Sequence, residues 1–504
     1  MGFRSKLIKP YAKKVSKKIK KWSAKPIEAQ QSIFKKLIKE GKKTAFGKDH
    51  NFNNIKSYKD FKANVPIQDY EGMRHYVDRI IDGEADVLWK GFPIYFAKTS
   101  GTTSGVKYIP ITKDSLPNHF ETARNALFHY YIENGKGKWL DGKMIFLSGS
   151  PELTKTGGIK TGRLSGIVNH QVPSWLKLNQ LPSYKTNCIE AWEEKVEKIV
   201  KETVKQDLRL ISGIPPWVQM YFERLLEVSG KENIKELFPN FDVFVYGGVN
   251  YEPYRNSLEK LIGEEIDTIE TYPASEGFIA FQDSQKEPGL LLNVASGIFF
   301  EFIPAEEIFE ENPTRYRLEE VKLGINYAII INSNAGLWGY NIGDTVEFVS
   351  LSPYRLIVTG RIKHFISAFG EHVIGKEVEN AMLEVAKEEN IRVVEFSVAP
   401  QINPSEKSLP YHEWFIEFED MPEDMNRFAT KIDKKMVEQN IYYEDLISGG
   451  ILKTLQITPL RKNAFRDYMK SIGKLGGQNK VPRLSNDRKL ADQLQAYLLP
   501  KVDQ

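Results

Sequence analysis

Residues 208–277 read LRLISGIPPWVQMYFERLLEVSGKENIKELFPNFDVFVYGGVNYEPYRNSLEKLIGEEIDTIETYPASEG. Three short apolar runs stand out, at 208–213, 241–246 and 266–272. The first is followed by Pro215 and Pro216, a common helix opening, and the second ends in Gly247 and Gly248. Short apolar runs bounded by Gly and Pro read as strands. Residues 189–205, just upstream, read as an amphipathic helix. Strands that alternate with helices predict an α/β fold built on layered sheets.

Working outward, residues 27–44, 56–82 and 113–134 read as helices, and 94–97, 108–111 and 143–148 as strands. Residues 151–183 are polar with weak periodicity. From 289 to 347 the pattern is mostly β, and RLIVTG at 355–360 is a further strand. The pattern then resets. Helices are expected at 377–389, 425–439 and 463–471, with β-rich segments at 393–399 and 412–419. This predicts two domains: a large one over 1–360 and a smaller α+β one over 361–504.

The 504 residues hold 41% hydrophobic and 27% charged side chains, as in an ordinary soluble globular chain. The single cysteine, Cys188, excludes a disulfide scaffold and a multi-cysteine metal site. No run approaches the length of a membrane span, and the basic N-terminus lacks the apolar segment of a secretory signal, so a cytoplasmic location is expected. Residues 1–43 carry 15 Lys and Arg against Glu28 and Glu40, a net +13, which leaves −9 for the rest. Leu7, Ile8, Tyr11, Val15, Ile19 and Trp22 fall near helical spacing and predict one apolar face. Such a helix either binds a membrane surface or nucleic acid, or docks on the main domain with its lysines in water. The second reading is favoured.

Four segments carry chemistry. KTSGTTSGVK at 98–107 joins two strands. Its hydroxyls and backbone N–H groups can surround phosphate oxygens, and its glycines permit close approach. It is not a Walker A loop, because its spacing differs and no helix follows directly. TYPASEG at 271–277 offers an aromatic face and Glu276, a hard oxygen ligand suited to Mg²⁺. YNIGD at 340–344 places Asp344 after a glycine turn, where a carboxylate can accept both ribose hydroxyls. TGRIK at 359–363 adds Arg361 and Lys363 where the domains meet. The histidines form no zinc-type pair; His364 and His372 lie nearest the motifs.

In this order the segments resemble the adenylate-forming superfamily, which includes acyl-CoA synthetases, luciferases and adenylation domains. SGTTSGVK, GIFFEFIP at 297–304 and GGQNKVPRL at 476–484 resemble the corresponding segments of the auxin-responsive acyl acid amido synthetases, the Gretchen Hagen three family. The resemblance runs from about residue 20 to 495. It implies a ligase that uses ATP and Mg²⁺ to convert a small-molecule carboxylic acid into an acyl-adenylate, then passes the acyl group to an amino acid. It also implies that the C-terminal domain reorients between these steps, with Lys363 at the hinge.

The residues that the resemblance implies are as follows. Ser100, Gly101, Thr102, Thr103 and Lys107 hold the phosphates. Thr271 and Tyr272 lie by the adenine, with Ser275 and Glu276 by phosphate and metal. Phe299 stands where relatives have a nucleotide-contacting Tyr, and Asp344 and Arg361 grip the ribose. Lys480 is the catalytic lysine from the C-terminal domain, with Lys462 and Lys474 as competitors. Phe120, Leu127, Phe128, Trp175, Trp217 and Tyr246 are candidate walls of the acyl pocket. FGEHVIGKEVE at 369–379 looks more like the acyl-CoA synthetase pattern, so coenzyme A remains an alternative acceptor. A non-enzymatic basic binding protein acting through residues 1–43 is the third reading; joint retention of Lys107, Glu276, Asp344 and Arg361 speaks against it.

Overall fold

The strands expected within 208–277 are Leu208–Ser212, Val243–Gly247 and Asp267–Ala274, and they lie side by side and parallel. Helices Pro215–Ser229 and Glu252–Ile262 supply the crossovers that parallel pairing requires. Lys143–Phe146 and Gln180–Leu181 extend this parallel half. Beyond Asp267–Ala274 the pairing turns antiparallel. In space the order there is Gly277–Phe281, Leu290–Leu292, Tyr354–Arg361, Tyr340–Leu351, Asn326–Ser333, Ile298–Pro304 and Tyr316–Arg317. Twelve strands thus form one sheet.

This computed structural model describes residues 2–100, 106–172, 174–189, 191–248, 251–362, 365–366, 373–402, 404, 408–475, 480–485 and 487–500. The chain divides into two units. One is Met1–Asn250 with Ser257–Val358, and the other is Tyr251–Asn256 with Thr359–Gln504.

A four-stranded sheet in the first unit runs Val106–Ile111, Tyr95–Ser100, Ile159–Gly162, Thr154–Thr156. The polar stretch at 151–183 therefore contains the last two of these strands, the strand Gln180–Leu181 and the helices Leu164–Gln171 and Ser174–Lys177. Strands of three and four residues are too short for alternation to show. The helix expected over 56–82 is two helices, Tyr58–Asn64 and Tyr70–Ile81. Each has its own cap: Ser57 accepts from the Asp60 N–H, and Asp69 accepts from the Glu71 N–H. Pro66 between them disfavours continuous helix.

Helix α1 (Phe3–Ser23) docks along helix Leu116–Asn134. Its Ala12, Val15 and Ile19 share a core with Phe128, Tyr131 and Trp139. The Asp141 carboxylate accepts from the backbone N–H groups of Gly2, Arg4 and Ser5 and so caps its positive end. Leu7 does not join the apolar face expected of it and is exposed; Tyr11, exposed as well, meets it only through its ring contact with Phe128. At 3.6 residues per turn Leu7 lies about 120° around the helix from Ile19.

The second unit has the α+β composition read from the sequence. Its sheet is Val393–Gln401, Tyr411–Phe418, Gln456–Leu460. Alternation along the central strand sends Trp414 and Ile416 to one face and Phe415 to the other. The first face packs on helices Gly375–Glu388 and Met425–Gln439 through Val378, Met382, Phe428 and Ile432. The second packs on Ala464–Ser471 and Lys489–Leu494 through Phe465 and Leu494.

Candidate active site

Two paired strands flank the hydroxyl-rich segment. Tyr95–Ser100 and Val106–Ile111 pair antiparallel, with Ser100 opposite Val106 and Thr99 opposite Lys107. Gly101, Thr102 and Thr103 lie outside the described residues, as does the Ser100 side chain. Lys107 therefore stands near the end of the pairing. Its Nζ sits 5.8 Å from the centre of the Tyr70 ring, within cation–π range. The Tyr70 hydroxyl oxygen accepts the Tyr108 backbone N–H at 2.9 Å. Burial raises the Tyr70 pKa above the ordinary phenol value, so it stays a neutral hydroxyl.

The segment that carries Tyr70 also holds the YNIGD motif. Gln68 pairs in parallel with Tyr340, and its carbonyl accepts from the Asn341 N–H at 2.8 Å. The sequence places this motif ahead of a strand; the structure puts it inside one, Tyr340–Leu351. The register against Asn326–Ser333 slips between Ala328, opposite Thr345, and Ile330, opposite Asn341. The residues between form a bulge. Gly343 makes it possible by adopting φ +85, which a side chain would resist. Asp344 follows directly and accepts the Tyr272 hydroxyl at 2.7 Å.

Tyr272 comes from TYPASEG, whose strand runs on through Pro273 and Ala274. Ala274 pairs with Gly277, so Ser275 and Glu276 form a two-residue turn at its tip. Thr271 turns away and donates to the Tyr246 carbonyl at 2.8 Å. A Cβ on Gly277 would lie 2.5 Å from Ile298 Cδ1, so any larger residue there would force Ile298 to shift. Asn118 pins the turn from helix Leu116–Asn134. Its Oδ1 accepts the Phe278 N–H at 2.6 Å, and its Nδ2 donates to Ser296 Oγ at 2.8 Å.

Within the first unit, then, Lys107, Tyr272 and Asp344 are linked through Tyr70, Gln68 and the 340–344 bulge. Glu276 stands on the turn that follows Tyr272. Gln68, Tyr70 and Asn118 carried no sequence signal, because single polar or aromatic residues in or beside helices have many uses. Phe299 packs among aromatic rings. Its ring is buried 4.9 Å from Phe34 and 6.0 Å from Tyr58. Phe128 and Trp217, read as pocket walls, are core as well: Phe128 meets the Tyr11 ring edge-on and Trp217 packs on Trp192. Tyr246 is buried, Phe120 and Leu127 are half-buried, and the Trp175 side chain lies outside the described residues.

In the second unit Arg361 is exposed at the end of Tyr354–Arg361, while Lys363, His364 and His372 lie outside the described residues. So do residues 369–372 of the segment behind the coenzyme A alternative; Val373–Ile374 and helix Gly375–Glu388 follow. Lys480, Lys462 and Lys474 are all exposed. Lys462 lies beside Asn463, whose N–H donates to Glu417 at 2.7 Å, and Lys480 precedes a held segment too. The chain just after it runs beside Val393–Gln401: the Val398 N–H donates to the Arg483 carbonyl, and the Ser485 N–H to the Val398 carbonyl. The Arg483 side chain is held by Glu379 and Glu395 and lies over the Phe396 ring. Glu395 also accepts the Tyr254 hydroxyl at 2.9 Å.

No group of three or more His, Cys, Asp or Glu among the described residues could enclose a metal ion. Mg²⁺ keeps most of its waters and takes one or two carboxylates together with phosphate oxygens. Glu276, half-buried on its turn, is a donor of that kind.

His119, next to Asn118, is buried, and its Nδ1 has no hydrogen-bond partner among the described residues. Burial pushes it down to about 4 from an ordinary 6.5, so it is neutral in the fold at pH 7. The unfolded chain takes up that proton near 6.5. Stability is therefore fully present above 6.5 and falls as pH drops toward 4. The loss is about 3 kcal/mol. Urea unfolding of wild type and His119→Gln across this window measures it, and equal slopes for the two would discard the account.

Comparison with known proteins places the chain among relatives. The GH3 family N-terminal domain matches residues 15–177 and 160–266, the GH3 family central domain 291–361, and the GH3 family C-terminal domain 376–489. Jasmonoyl-L-amino acid synthetase JAR4 of Nicotiana attenuata is 23% identical, over 90% of this chain and 90% of its own. Indole-3-acetic acid-amido synthetase GH3.3 of Arabidopsis thaliana is 22% identical, over 90% of this chain and 88% of its own. The solved structure of the GH3.15 acyl acid amido synthetase superposes with a TM-score of 0.79 at 16% identity, over 96% of both chains. At that identity the superposition speaks to fold alone.

Proposed function

Because the chain belongs to the GH3 family, we propose that it is an ATP-dependent acid–amino acid ligase working in two half-reactions. In the first, a carboxylate oxygen of the acid attacks the α-phosphorus of ATP. The bond to the bridging oxygen breaks and pyrophosphate leaves. In the second, an amino acid nitrogen attacks the activated carbonyl carbon, AMP departs with the shared oxygen, and the amine gives up a proton.

The observation that carries this reading is the link from Tyr272 to Asp344, with Lys107 tied to the same frame through Tyr70 and Gln68. Nucleotidyl transfer needs no protein nucleophile, only placed charge and placed reactants. In this reading Lys107 and the hydroxyl loop, Ser100 to Thr103, take the phosphates. Tyr272 and Thr271 border the adenine, and Asp344, oriented by the Tyr272 hydroxyl, takes the ribose with Arg361. Ser275 and Glu276 face the α-phosphate. Mg²⁺, held by Glu276 and the phosphates, would neutralise charge on the departing pyrophosphate. Lys480, held by the Arg483 anchor, meets the reacting carboxylate after the C-terminal domain turns about Lys363. Such closure keeps water from a labile mixed anhydride.

ATP–pyrophosphate exchange over a panel of carboxylic acids, with no acceptor, tests the first half-reaction and identifies the acid. Amino acids and coenzyme A are then offered separately to the enzyme with that acid. Release of AMP with amide product is expected. Thioester formation in its place would move the assignment to an acyl-CoA synthetase. Absence of both exchange and ATP binding would end the ligase reading.

A further inference from the structure

Catalysis leaves the outward side of α1 without a use. Nine lysines and arginines, and no acid, fall between Phe3 and Ser23. Lys6, Lys13, Lys14, Lys17, Lys18 and Lys21 are exposed. Among the described residues only Lys20 of this helix meets a carboxylate, Glu133 at 2.8 Å. On the same side Phe3 is 79% and Leu7 65% exposed. At 3.6 residues per turn Phe3, Leu7, Lys14, Lys18 and Lys21 fall within about 60° of one another. The strip is apolar at its start and basic along the rest.

We propose that this strip docks the enzyme on an anionic lipid bilayer. Phe3 and Leu7 enter the headgroup boundary, and Lys14, Lys18 and Lys21 lie over the negative headgroups. Three observations favour this. The opposite face of α1 is already buried in the core and its first turn is capped by Asp141, so the helix is preformed and binding costs little ordering. Its charge is local, since residues 1–43 hold +13 while the remainder holds −9, which orients the molecule helix-first toward a negative surface. Finally, a surface for nucleic acid phosphates needs only the lysines. Two large apolar side chains on the same strip gain from an interface that has an acyl boundary beneath the charge.

The test is cosedimentation of the full chain with vesicles of phosphatidylcholine alone and of equal parts phosphatidylcholine and phosphatidylserine. Binding is expected to the mixed vesicles alone and should weaken as salt rises. Lys14→Gln with Lys18→Gln and Lys21→Gln should weaken it about a hundredfold, near fivefold per charge. Phe3→Ser with Leu7→Ser should weaken it about tenfold or more. Both variants should keep wild-type exchange activity and melting temperature, since the altered side chains are exposed and remote from the motifs in sequence. Failure of the wild type to bind mixed vesicles overturns the proposal, as does full binding by both variants. Equal binding to duplex DNA at the same salt, unmoved by Phe3→Ser with Leu7→Ser, would assign the strip to nucleic acid instead.

Discussion

Glu276→Gln is expected to lower acid-dependent ATP–pyrophosphate exchange by about 10²–10³, and Lys107→Ala by a similar factor. The size follows from the chemistry. With no protein nucleophile, the barrier is lowered by charges set where the transition state becomes more negative. Glu276 occupies a turn fixed on both sides: by the Ala274 and Gly277 pairing, and by the Asn118 carboxamide on the Phe278 N–H. Gln keeps the shape and removes the charge. Lys107 stands near the end of the strand pairing, beside the Tyr70 ring. Neither change should move the melting temperature by more than a few degrees, because Glu276 and Lys107 are only partly buried. Exchange that survives in both variants would remove these residues from the active site while leaving the family assignment intact.

Glu301→Leu destabilises the first unit by about 3–5 kcal/mol. Glu301 sits in the otherwise apolar strand Ile298–Pro304 and is fully buried. Its two oxygens accept from Arg315 Nε and Nη2 at 2.9 and 2.8 Å, from the Tyr58 hydroxyl at 2.7 Å and from Asn332 Nδ2 at 2.7 Å. Arg315 also donates to the Val65 carbonyl at 2.6 Å. Burial, and then the Glu301 charge, hold the Tyr58 hydroxyl well above the usual phenol range. Removing Glu301 leaves the Arg315 guanidinium buried and unneutralised, which costs more than the pair contributes. Urea unfolding monitored by tryptophan fluorescence reads the loss. Glu301→Leu with Arg315→Met should recover most of it. A double variant as unstable as the single would mean that Tyr58 and Asn332, not the stranded charge, set the cost.

The segments proposed for the site were legible where side-chain chemistry and backbone demands coincide. KTSGTTSGVK, TYPASEG and YNIGD each combine a glycine with hydroxyls or a carboxylate, and local geometry explains Gly343. The alternation across 208–277 likewise announced the parallel half of the sheet, because apolar runs bounded by Gly and Pro are a local signal. In the second unit, 425–439 emerged as the helix Met425–Gln439, bounded as read.

Other features depend on distance in space. The partners of Phe299 in GIFFEFIP are Phe34 and Tyr58, far off in the chain, and no local pattern could have named them. The strands at Thr154–Thr156 and Ile159–Gly162 gain their pairing from Tyr95–Ser100 and from each other, and three or four residues cannot announce that alone. Leu7 and Tyr11 counted toward one apolar stripe, but which arc of α1 is covered was set by where helix Leu116–Asn134 lies. Residue order carried what a few neighbouring side chains and backbone angles impose: strands, caps, glycine turns and the motif chemistry. Which of those residues meet, as Tyr272 meets Asp344 across 72 positions, was decided only when the sheet closed. Burial and pairing are properties of the space around a side chain, and that space is filled by residues distant in the chain.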